Sequence, residues 1–487
     1  MSAGPEISLA QVLATTGGTI PAGFPQEEVI FRGITTDSRR CAAGNLFIAL
    51  TGANFDGHDY LEAAHRQGAA GLLVHRLPAA TPRGVPVIVV ADTLTALGEL
   101  AAWWRRRFSP AVIAVTGSSG KTTTKEMIAA IMARRGPVLK TEGNFNNLIG
   151  LPLTLFRLTS GDPCAVLELG TNSPGEIARL TRIAAPDIAL ITNIGLAHLE
   201  GFTDLAGVAA EKRDLFRGLR PGGTMIINRD DPFLRDAGQT WTGRVVTFGM
   251  AAGSEVSAED IVTVRLPGIG DASDVSPVLP PRLETRFTLR LGGERLETTL
   301  PVVGEHQVKN ALAAAASAWA AGAAPEDIRR GLADFSPVPG RMEIIALENG
   351  AFVINDAYNA NPSSVREALS ALQQLKGRGR GIAVLGDMLE LGEQEAVWHE
   401  EIGGLLADTG VARVYLRGRL SGATAAGASK HGMPAGDIIV RADQEAIVQD
   451  LRAYLREGDW VLVKGSRRLE MDKVAALLSS GKEGGAR

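Results

Sequence analysis

Cysteine is scarce in this chain: Cys41 and Cys164 are the only two among 487 residues, and they lie far apart without CxxC spacing. This scarcity excludes a disulfide-stapled domain and a cysteine zinc site, and it is typical of a protein of the reducing cytosol. A cationic excess is also missing, since 50 Lys and Arg stand against 54 Asp and Glu, a formal charge of −4. We therefore expect no nucleic-acid partner.

Long apolar runs are missing too. The longest, residues 311–324, is rich in alanine and shorter than a bilayer span. The N-terminus has neither the basic region nor the apolar core of a signal peptide. We expect a cytoplasmic protein without a membrane span, and a monomer. A chain of 487 residues is too long for one hydrophobic core, so roughly three domains are expected.

The most informative motif that is present lies at residues 111–124, AVIAVTGSSGKTTT: an apolar run, a glycine turn, a lysine and three hydroxyls. This order predicts a phosphate-binding loop, in which backbone amides and a helix N-terminus face a polyphosphate, Lys121 adds a point charge and Thr122 can ligate Mg²⁺. The loop is shorter than GxxxxGK[ST], because Val115 stands five residues before Gly120. A chance glycine-rich turn before a helix is the alternative.

From Ala111 onward, apolar strands alternate with helices, which predicts a doubly wound, mostly parallel sheet. Ligands bind such sheets beyond the carboxyl ends of the strands. Strict alternation around Gly292 and Gly293 predicts a two-residue hairpin at the edge of this sheet. The predicted parallel strands are residues 111–116, 165–169, 188–192, 224–227 and 245–248.

Two strand ends carry side chains suited to a metal. Glu168 ends an apolar run, where a carboxylate costs desolvation unless it is paired or metal-bound, so a Mg²⁺ ligand is favoured over a structural acid. His198 follows the next strand on the same rim. A structural histidine is an equally good interpretation there.

Lys212 falls on an apolar helical stripe within residues 205–219, so it is predicted to face inward, and Glu211 and Arg213 outward. An inward lysine must be paired, deprotonated or modified. The alternative is a lysine whose ammonium reaches solvent along the protein surface. The stripe consists of Leu205, Val208, Lys212, Leu215 and Leu219.

Polar residues gather in two other regions. In residues 34–60 they flank a short strand, where ordinary turn chemistry is favoured over ligand binding from the residues alone. In the C-terminal part they follow three strands, at 357–362, 387–392 and 465–467, which predicts one ligand-facing rim, with plain loops as the alternative. Two prolines before Gly340 predict a hinge-like linker.

In chain order these features resemble the Mur ligase family, ATP-dependent amide-forming enzymes of peptidoglycan precursor synthesis. The resemblance covers almost the whole chain and rests on TGSSGKTT, Glu168, His198, Lys212, GEHQVKNAL at 304–312, Pro-Gly-Arg341 and Asn-Asp356. Within the family, residues 141–147, 356–362, 386–392 and 463–466 resemble the member that joins D-alanyl-D-alanine to a UDP-N-acetylmuramoyl-tripeptide. The Asp-Asn-Pro-Arg segment of the diaminopimelate-adding relative is not seen.

The resemblance implies an α/β protein of three domains. A small N-terminal α/β domain, residues 1–108, would bind the UDP-linked substrate. A central P-loop-type domain with a mostly parallel sheet, residues 109–336, would bind ATP. A Rossmann-like C-terminal domain, residues 337–487, would close over the nucleotide at the hinge near Gly340.

The resemblance also implies ATP as co-substrate, Mg²⁺, and a carbamylated Lys212. The catalytic residues would be Lys121, Glu168, His198 and Lys212, and the metal ligands Thr122, Glu168, His198 and Lys212. The nucleotide would be bound by Thr116, Gly117, Ser118, Ser119, Gly120, Lys121, Thr122, Thr123, His306, Asn310, Arg341 and Asp356. The UDP-sugar, the muramoyl part and the dipeptide would be bound by Asp37, Ser38, Arg39, Asn54, Asp56, His58, Asn144, Asn146, Asn147, Tyr358, Asn359, Asn361 and Ser466.

Three other functions stay open. A nucleotide switch would carry an Asn-Lys-x-Asp segment, which the sequence lacks. A non-catalytic scaffold that kept ATP binding would show no substrate-dependent phosphate release. Another ligase of the superfamily, such as one that adds glutamate to folate, is disfavoured by the Tyr-Asn-Ala-Asn-Pro segment at 358–362.

Overall fold

The structure is a computed structural model that describes residues 4–79, 81–197, 199–266 and 282–480. The chain forms two compact units. The first takes in the chain up to Thr116 with Arg135–Leu190 and Arg213–Met225, and the second takes in Gly117–Arg134, Ile191–Lys212 and the chain from Ile226. In the described ranges, no helix is both long and apolar enough to cross a bilayer.

The N-terminal region builds a small α/β layer. An antiparallel pair, β1 and β2, precedes a four-stranded parallel sheet in the order β3-β4-β5-β6. Ser8 begins the first helix through a capping box with Gln11, and Gly17, in the left-handed conformation, ends it. The strands are β1 (Glu6–Ser8), β2 (Ile30–Arg32), β3 (Ile34–Thr35), β4 (Leu46–Ile48), β5 (Gly71–Val74) and β6 (Val87–Val89), and the helices α1 (Leu9–Thr16), α2 (Leu61–Arg66) and α3 (Thr93–Arg105).

The central region contains a nine-stranded sheet. Its strands are β7 (Ala111–Thr116), β8 (Val138–Lys140), β9 (Cys164–Glu168), β10 (Ile188–Ile191), β11 (Thr224–Asn228), β12 (Arg244–Phe248), β13 (Val256–Leu266), β14 (Arg282–Leu291) and β15 (Glu294–Leu300). They follow the order β15-β14-β13-β12-β11-β10-β7-β9-β8. The five predicted strands are confirmed to within a residue at each end. The hairpin at Gly292 and Gly293 is also confirmed, and β15 lies at the edge of the sheet, as predicted.

Seven helices accompany this sheet in the described part of the chain: α4 (Lys121–Met132), α5 (Gly150–Leu155), α6 (Glu176–Ala184), α7 (Leu199–Phe202), α8 (Leu205–Arg217), α9 (Glu305–Ala320) and α10 (Pro325–Ala333). The predicted helix over 205–219 is α8. Its apolar stripe is buried from Val208 to Leu219, whereas Leu205 is half-buried.

The C-terminal region has a six-stranded sheet in the order β16-β17-β21-β18-β19-β20, parallel except for the β16–β17 pair. Alternate residues of β17 and β21 pack into two separate hydrophobic cores, one on each face of the sheet. Because both faces are buried, the sequence of each strand is a continuous apolar run. The elements are β16 (Glu343–Ala346), β17 (Phe352–Asn355), β18 (Gly381–Gly386), β19 (Arg413–Arg417), β20 (Ile438–Val440) and β21 (Trp460–Lys464), with α11 (Pro362–Lys376), α12 (Glu395–Asp408), α13 (Ser421–Lys430), α14 (Gln444–Tyr454) and α15 (Asp472–Ser479).

Candidate active site

The segment between β7 and α4 has the geometry of an anion-binding loop. Gly117 and Gly120 have positive φ angles of 150° and 76°. A Cβ atom added to Gly117 would collide with Thr192 Oγ1, and one added to Gly120 would collide with Asn310 Oδ1. Helix α4 begins at Lys121, directly after Gly120. The helix N-terminus therefore opens from a turn that only glycine fits, an arrangement that suits a polyphosphate.

Asn193, which was not among the predicted site residues, holds this loop in place. Its Oδ1 accepts a hydrogen bond from Ser119 N at 2.9 Å, and its Nδ2 donates to Ser119 Oγ at 3.0 Å. Its carbonyl accepts from Ser118 N at 3.0 Å. Because both serine amides bond to Asn193, the predicted phosphate contacts of the loop amides fall to the first turn of α4. The only sequence signal for Asn193 was its position just after β10.

We expect Gly120→Ala to lower turnover at least about tenfold, because the new methyl needs the space of the Asn310 amide and a positive φ strains any side chain. Gly222→Ala is the matched control: Gly222 also has a φ of 76°, yet nothing lies within 4 Å of its added Cβ. Steady-state kinetics and melting temperatures of both variants test this. Equal losses of activity in the two would assign the effect to backbone strain rather than to Asn310.

Lys212 lies on α8 and is 2 % exposed, so its predicted inward orientation is confirmed. Burial and the positive charge of Lys121 hold the pKa of Lys212 well below its ordinary value. The prediction that Glu211 faces outward is wrong, since Glu211 is only 6 % exposed. The buried face of α8 is wider than the predicted stripe and also includes Ala209 and Phe216.

Lys121 itself is half-buried at the start of α4. Its Nζ donates a hydrogen bond to the carbonyl of Gly117 at 2.7 Å, across the turn that would bind a phosphate. Thr122 and Thr123, the next two predicted nucleotide residues, are 7 % and 6 % exposed. Thr116, at the end of β7, donates from its hydroxyl to the carbonyl of Leu169 at 2.7 Å.

Glu168 ends β9 in the first unit and is 2 % exposed. Its carboxylate accepts a hydrogen bond from Asn146 Nδ2 at 2.8 Å, and its backbone amide donates to Thr141 Oγ1 at 3.0 Å. Asn146 was predicted to contact substrate. In the structure the Asn146 amide bonds to the Glu168 carboxylate, Asn144 is exposed, and Asn147 accepts hydrogen bonds from Ile149 N and Gly150 N at the start of α5. Contacts of these three residues with the substrate stay predictions.

In the described ranges no three His, Cys, Asp or Glu side chains form a group that could hold a metal ion. His198 lies outside the described residues. The predicted ligand set needs no such group, because it includes the hydroxyl of Thr122 and a modified lysine. The metal-binding roles of Thr122, Glu168, His198 and Lys212 stay predictions.

Helix α9 brings two predicted nucleotide residues to the loop side of the second unit. Asn310 Oδ1 accepts from Thr124 Oγ1 at 3.4 Å, and Asn310 Nδ2 donates to Gln307 Oε1 at 3.2 Å. Burial lowers the pKa of His306 to about 4 in spite of the attraction of Asp356. His306 is therefore a neutral imidazole at neutral pH, able to donate or accept a hydrogen bond but carrying no charge.

The C-terminal rim is organised around an ion pair. Asp356 Oδ2, after β17, accepts from Lys464 Nζ, at the end of β21, and the same Nζ donates to the carbonyl of Asn359 at 3.1 Å. Asp356 Oδ1 accepts from Met342 N at 3.2 Å. Lys464 was not among the predicted site residues, although a lysine that ends a buried apolar strand is the same signal that identified Glu168.

Tyr358 lies beside two arginines. The guanidinium carbon of Arg341 is 4.1 Å from the centre of its ring, and that of Arg467 is 5.7 Å away. Arg341 Nε is buried without a hydrogen-bond partner, as expected of a donor that meets a ligand. Asn361, predicted to contact the dipeptide, caps α11 by accepting from Ser364 N at 2.9 Å, and its contact with the dipeptide stays a prediction.

Most polar residues of the N-terminal turns are bonded to one another. Asp37 accepts two hydrogen bonds from the Arg39 guanidinium, both 2.9 Å long. Asp56 accepts from Arg76 and from both the amide and the Nδ1 of His58, which hold the pKa of its carboxyl well below its usual range. Turn chemistry accounts for these contacts. Ser38 and the exposed Asn54 lie on the same turns, and binding of a UDP-sugar there stays a prediction.

The fold and these sites can be compared with known proteins. Family models match three segments: Mur ligase family, catalytic domain (residues 30–105), Mur ligase middle domain (115–318) and Mur ligase, glutamate ligase domain (340–467). The chain belongs to the Mur ligase family. Three Mur ligase segments in this order agree with the predicted three-domain α/β architecture, while the exact domain boundaries stay predictions.

Individual Mur ligases match nearly the whole chain. It is 37 % identical to UDP-N-acetylmuramoyl-tripeptide–D-alanyl-D-alanine ligase of Escherichia coli, covering 97 % of this chain and 98 % of that one. The enzyme of the same name in Bacillus subtilis is 36 % identical, with 92 % and 93 % covered. A crystal structure of MurF from Acinetobacter baumannii has a TM-score of 0.85 at 33 % identity, covering 98 % and 99 %.

A fourth Mur ligase bears on the nucleotide. MurF ligase from Thermotoga maritima, solved in complex with ADP, is similar to this chain with a TM-score of 0.79 at 28 % identity, covering 92 % of this chain and 96 % of that one. Family membership supports ATP dependence, and a fold shared with an ADP-bound structure is consistent with the phosphate-binding geometry of the Gly117–Gly120 loop.

Proposed function

We propose that this chain joins D-alanyl-D-alanine to a UDP-N-acetylmuramoyl-tripeptide and converts ATP to ADP and phosphate. The observation that carries the proposal is the pair Lys121 and Lys212. Lys121 begins helix α4 directly after a glycine turn, and its charge acts on the buried Lys212. That arrangement suits an ATP-dependent ligase, and the near full-length relatives supply the substrates by their names.

In the proposed reaction, the tripeptide carboxylate attacks the γ-phosphate of ATP, which gives an acyl phosphate and ADP. The amine of D-alanyl-D-alanine then attacks the acyl carbon and loses a proton, and phosphate leaves with the electrons of the C–O bond. Both steps gather negative charge on oxygen. Lys121 and the first amides of α4 would stabilise that charge.

Mg²⁺, when bound, would neutralise phosphate oxygens during both steps. Lys212 fits the predicted carbamate, because a buried lysine of lowered pKa supplies the neutral amine that reacts with CO₂. His306, Arg341 and Asp356 fit the nucleotide side of the site. Asp356 is best seen as positioning Lys464 and the Met342 amide, since its carboxylate bonds to both.

The proposal also includes the localisation, the oligomeric state and the domain boundaries of the enzyme. Because UDP-linked precursors and ATP are cytoplasmic metabolites, we expect the enzyme to work in the cytoplasm. We also expect a monomer, which sedimentation can test, and domain boundaries near residues 108 and 336, which limited proteolysis can test.

A product assay tests the function directly. The enzyme is incubated with ATP, Mg²⁺, D-alanyl-D-alanine and a UDP-muramoyl-tripeptide that ends in either diaminopimelate or lysine, and the product is identified by mass. We expect one pentapeptide product and one phosphate per product, with no phosphate release when any substrate is omitted. Phosphate release without the dipeptide would contradict the proposal, and would favour a nucleotide switch.

A further inference from the structure

Strand β21 ends in a segment that is rich in positive charge. Between Lys464 and Lys473 there are four cationic side chains and two carboxylates. Lys464 is buried and paired with Asp356, whereas Arg467 and Arg468 are exposed at the start of a 3₁₀ helix, Arg467–Leu469. The roles proposed so far use neither arginine.

The backbone that carries Arg467 is firmly held. The carbonyl of Leu469 accepts hydrogen bonds from Arg417 Nη1 and from Gln444 Nε2, both at 2.9 Å. The amide of Ser466 donates to the carbonyl of Asp387 at 3.0 Å. Arg467 therefore extends from a fixed point of the rim, where its long side chain, rather than the loop, provides the freedom to meet a ligand.

The guanidinium of Arg467 reaches toward the dipeptide residues predicted from the sequence. It lies 5.7 Å from the ring centre of Tyr358, which follows β17, the strand paired with β21. Its ion pair is a single contact of 3.2 Å between Nη1 and Asp472 Oδ2. A guanidinium has five N–H donors, so most of its hydrogen-bonding capacity stays available to a ligand.

Ser466, next to Arg467, offers a second donor. The residue is 3 % exposed, and its Oγ accepts a hydrogen bond from Leu389 N at 2.8 Å. Because the hydroxyl oxygen is occupied as an acceptor by a backbone donor, the hydroxyl proton is directed elsewhere. A buried hydroxyl that donates beside a guanidinium is the chemistry that recognises a carboxylate.

Two other arginines at the ends of this sheet are held by several contacts: Arg417 donates to the carbonyls of Ala442 and Leu469, and Arg441 pairs with Asp450 through Nε and Nη2. Arg419 makes one ion pair, with Glu395, as Arg467 does with Asp472, but of these two only Arg467 lies by the Tyr358 ring. Arg341 lies over Tyr358 on the side predicted for the nucleotide. Arg467 is thus the cation best placed for an anionic group of the second substrate.

On the basis of the proposed function, we propose that Arg467, together with the hydroxyl of Ser466, binds the terminal carboxylate of D-alanyl-D-alanine. The dipeptide must present a neutral amine to the acyl carbon, but its carboxylate keeps a full charge. Arginine holds a carboxylate through two parallel hydrogen bonds, a geometry that lysine does not reproduce. This contact would orient the amine and select peptides with a free carboxyl end.

The experiment compares D-alanyl-D-alanine with its C-terminal amide, which keeps the amine and loses the charge. Saturating ATP and UDP-muramoyl-tripeptide are used, and kcat/KM for each dipeptide is measured by product mass. We expect the unaltered enzyme to prefer the acid by about 10- to 100-fold, the range for a hydrogen-bonded charge. Arg467→Gln should remove most of that preference by slowing the acid alone, and Arg467→Lys should restore only part of it.

Arg468→Gln is the matched control, since Arg468 has the same charge and is also exposed. It should keep the full preference for the acid. The rate with the amide shows that each variant is folded and able to use ATP. The proposal is overturned if Arg467→Gln keeps the acid preference, or if it slows acid and amide equally. Absence of product with either dipeptide in the unaltered enzyme would instead refute the proposed function.

Discussion

Lys212→Ala is expected to lower turnover by about three orders of magnitude, the scale of losing a charge that stabilises the transition state. Lys212 is fully buried on α8, where the positive charge of Lys121 disfavours its ammonium form more than the negative charge of Glu211 favours it. An unmodified ammonium there would lack solvation and repel Lys121. The position is unfavourable for a lysine unless its chemistry changes.

A carbamate makes this position favourable. The neutral amine attacks CO₂, an N–C bond forms and a proton is released, which leaves an anion where a cation was costly. That anion attracts Lys121 instead of repelling it, and it adds an oxygen donor of the kind that Mg²⁺ prefers. Incorporation of isotope-labelled bicarbonate, followed by NMR of the labelled carbon, should detect the modification in the unaltered enzyme.

Matched variants separate this chemistry from packing. Lys212→Met keeps most of the side-chain volume and should be as inactive as Lys212→Ala, with a near-unchanged melting temperature. Arg217→Ala removes an exposed cation from the same helix and should remain active. Added bicarbonate should rescue neither Lys212 variant, whereas small carboxylates should restore part of the activity of Lys212→Ala. A near-normal rate in Lys212→Met would remove the carbamate from the mechanism.

The sequence predicted those buried charges that break a regular pattern. Glu168 interrupts an apolar strand and Lys212 an apolar helical stripe, so both burials could be recognised from a few neighbouring residues. Glu211 shows the limit of this reasoning. Periodicity gives the centre of the buried face but not its width, which depends on how neighbouring elements pack against α8.

Contacts between distant segments could not be predicted in the same way. Asp356 and Lys464 are 108 residues apart, and Ser119 and Asn193 are 74 apart. Both pairs meet because parallel strands end on the same rim, so the sequence indicated the rim but not the partners. The same limit applies to Asn146, whose hydrogen bond to Glu168 the sequence did not indicate.

Lys121→Ala is expected to lower ATP-dependent turnover on the order of 1,000-fold, because the lysine stabilises negative charge on the phosphates. The protein should fold normally, because this side chain is not part of the hydrophobic core. The lost hydrogen bond to the Gly117 carbonyl should cost only about 1 kcal/mol of stability. Lys430→Ala, which removes an exposed cation paired with Glu400, is the control for a lost positive charge and should turn over normally. Activity like that of the unaltered enzyme would mean that the loop is structural.

The same variant should also weaken the modification of Lys212. Without the charge of Lys121, the pKa of Lys212 rises, so less of its amine is neutral and able to attack CO₂. The carbamate would also lose the attraction of the Lys121 charge. Labelled bicarbonate should therefore enter Lys121→Ala less than Lys430→Ala at the same pH. Equal incorporation in the two would show that burial alone controls Lys212, and that the phosphate loop and the lysine act independently.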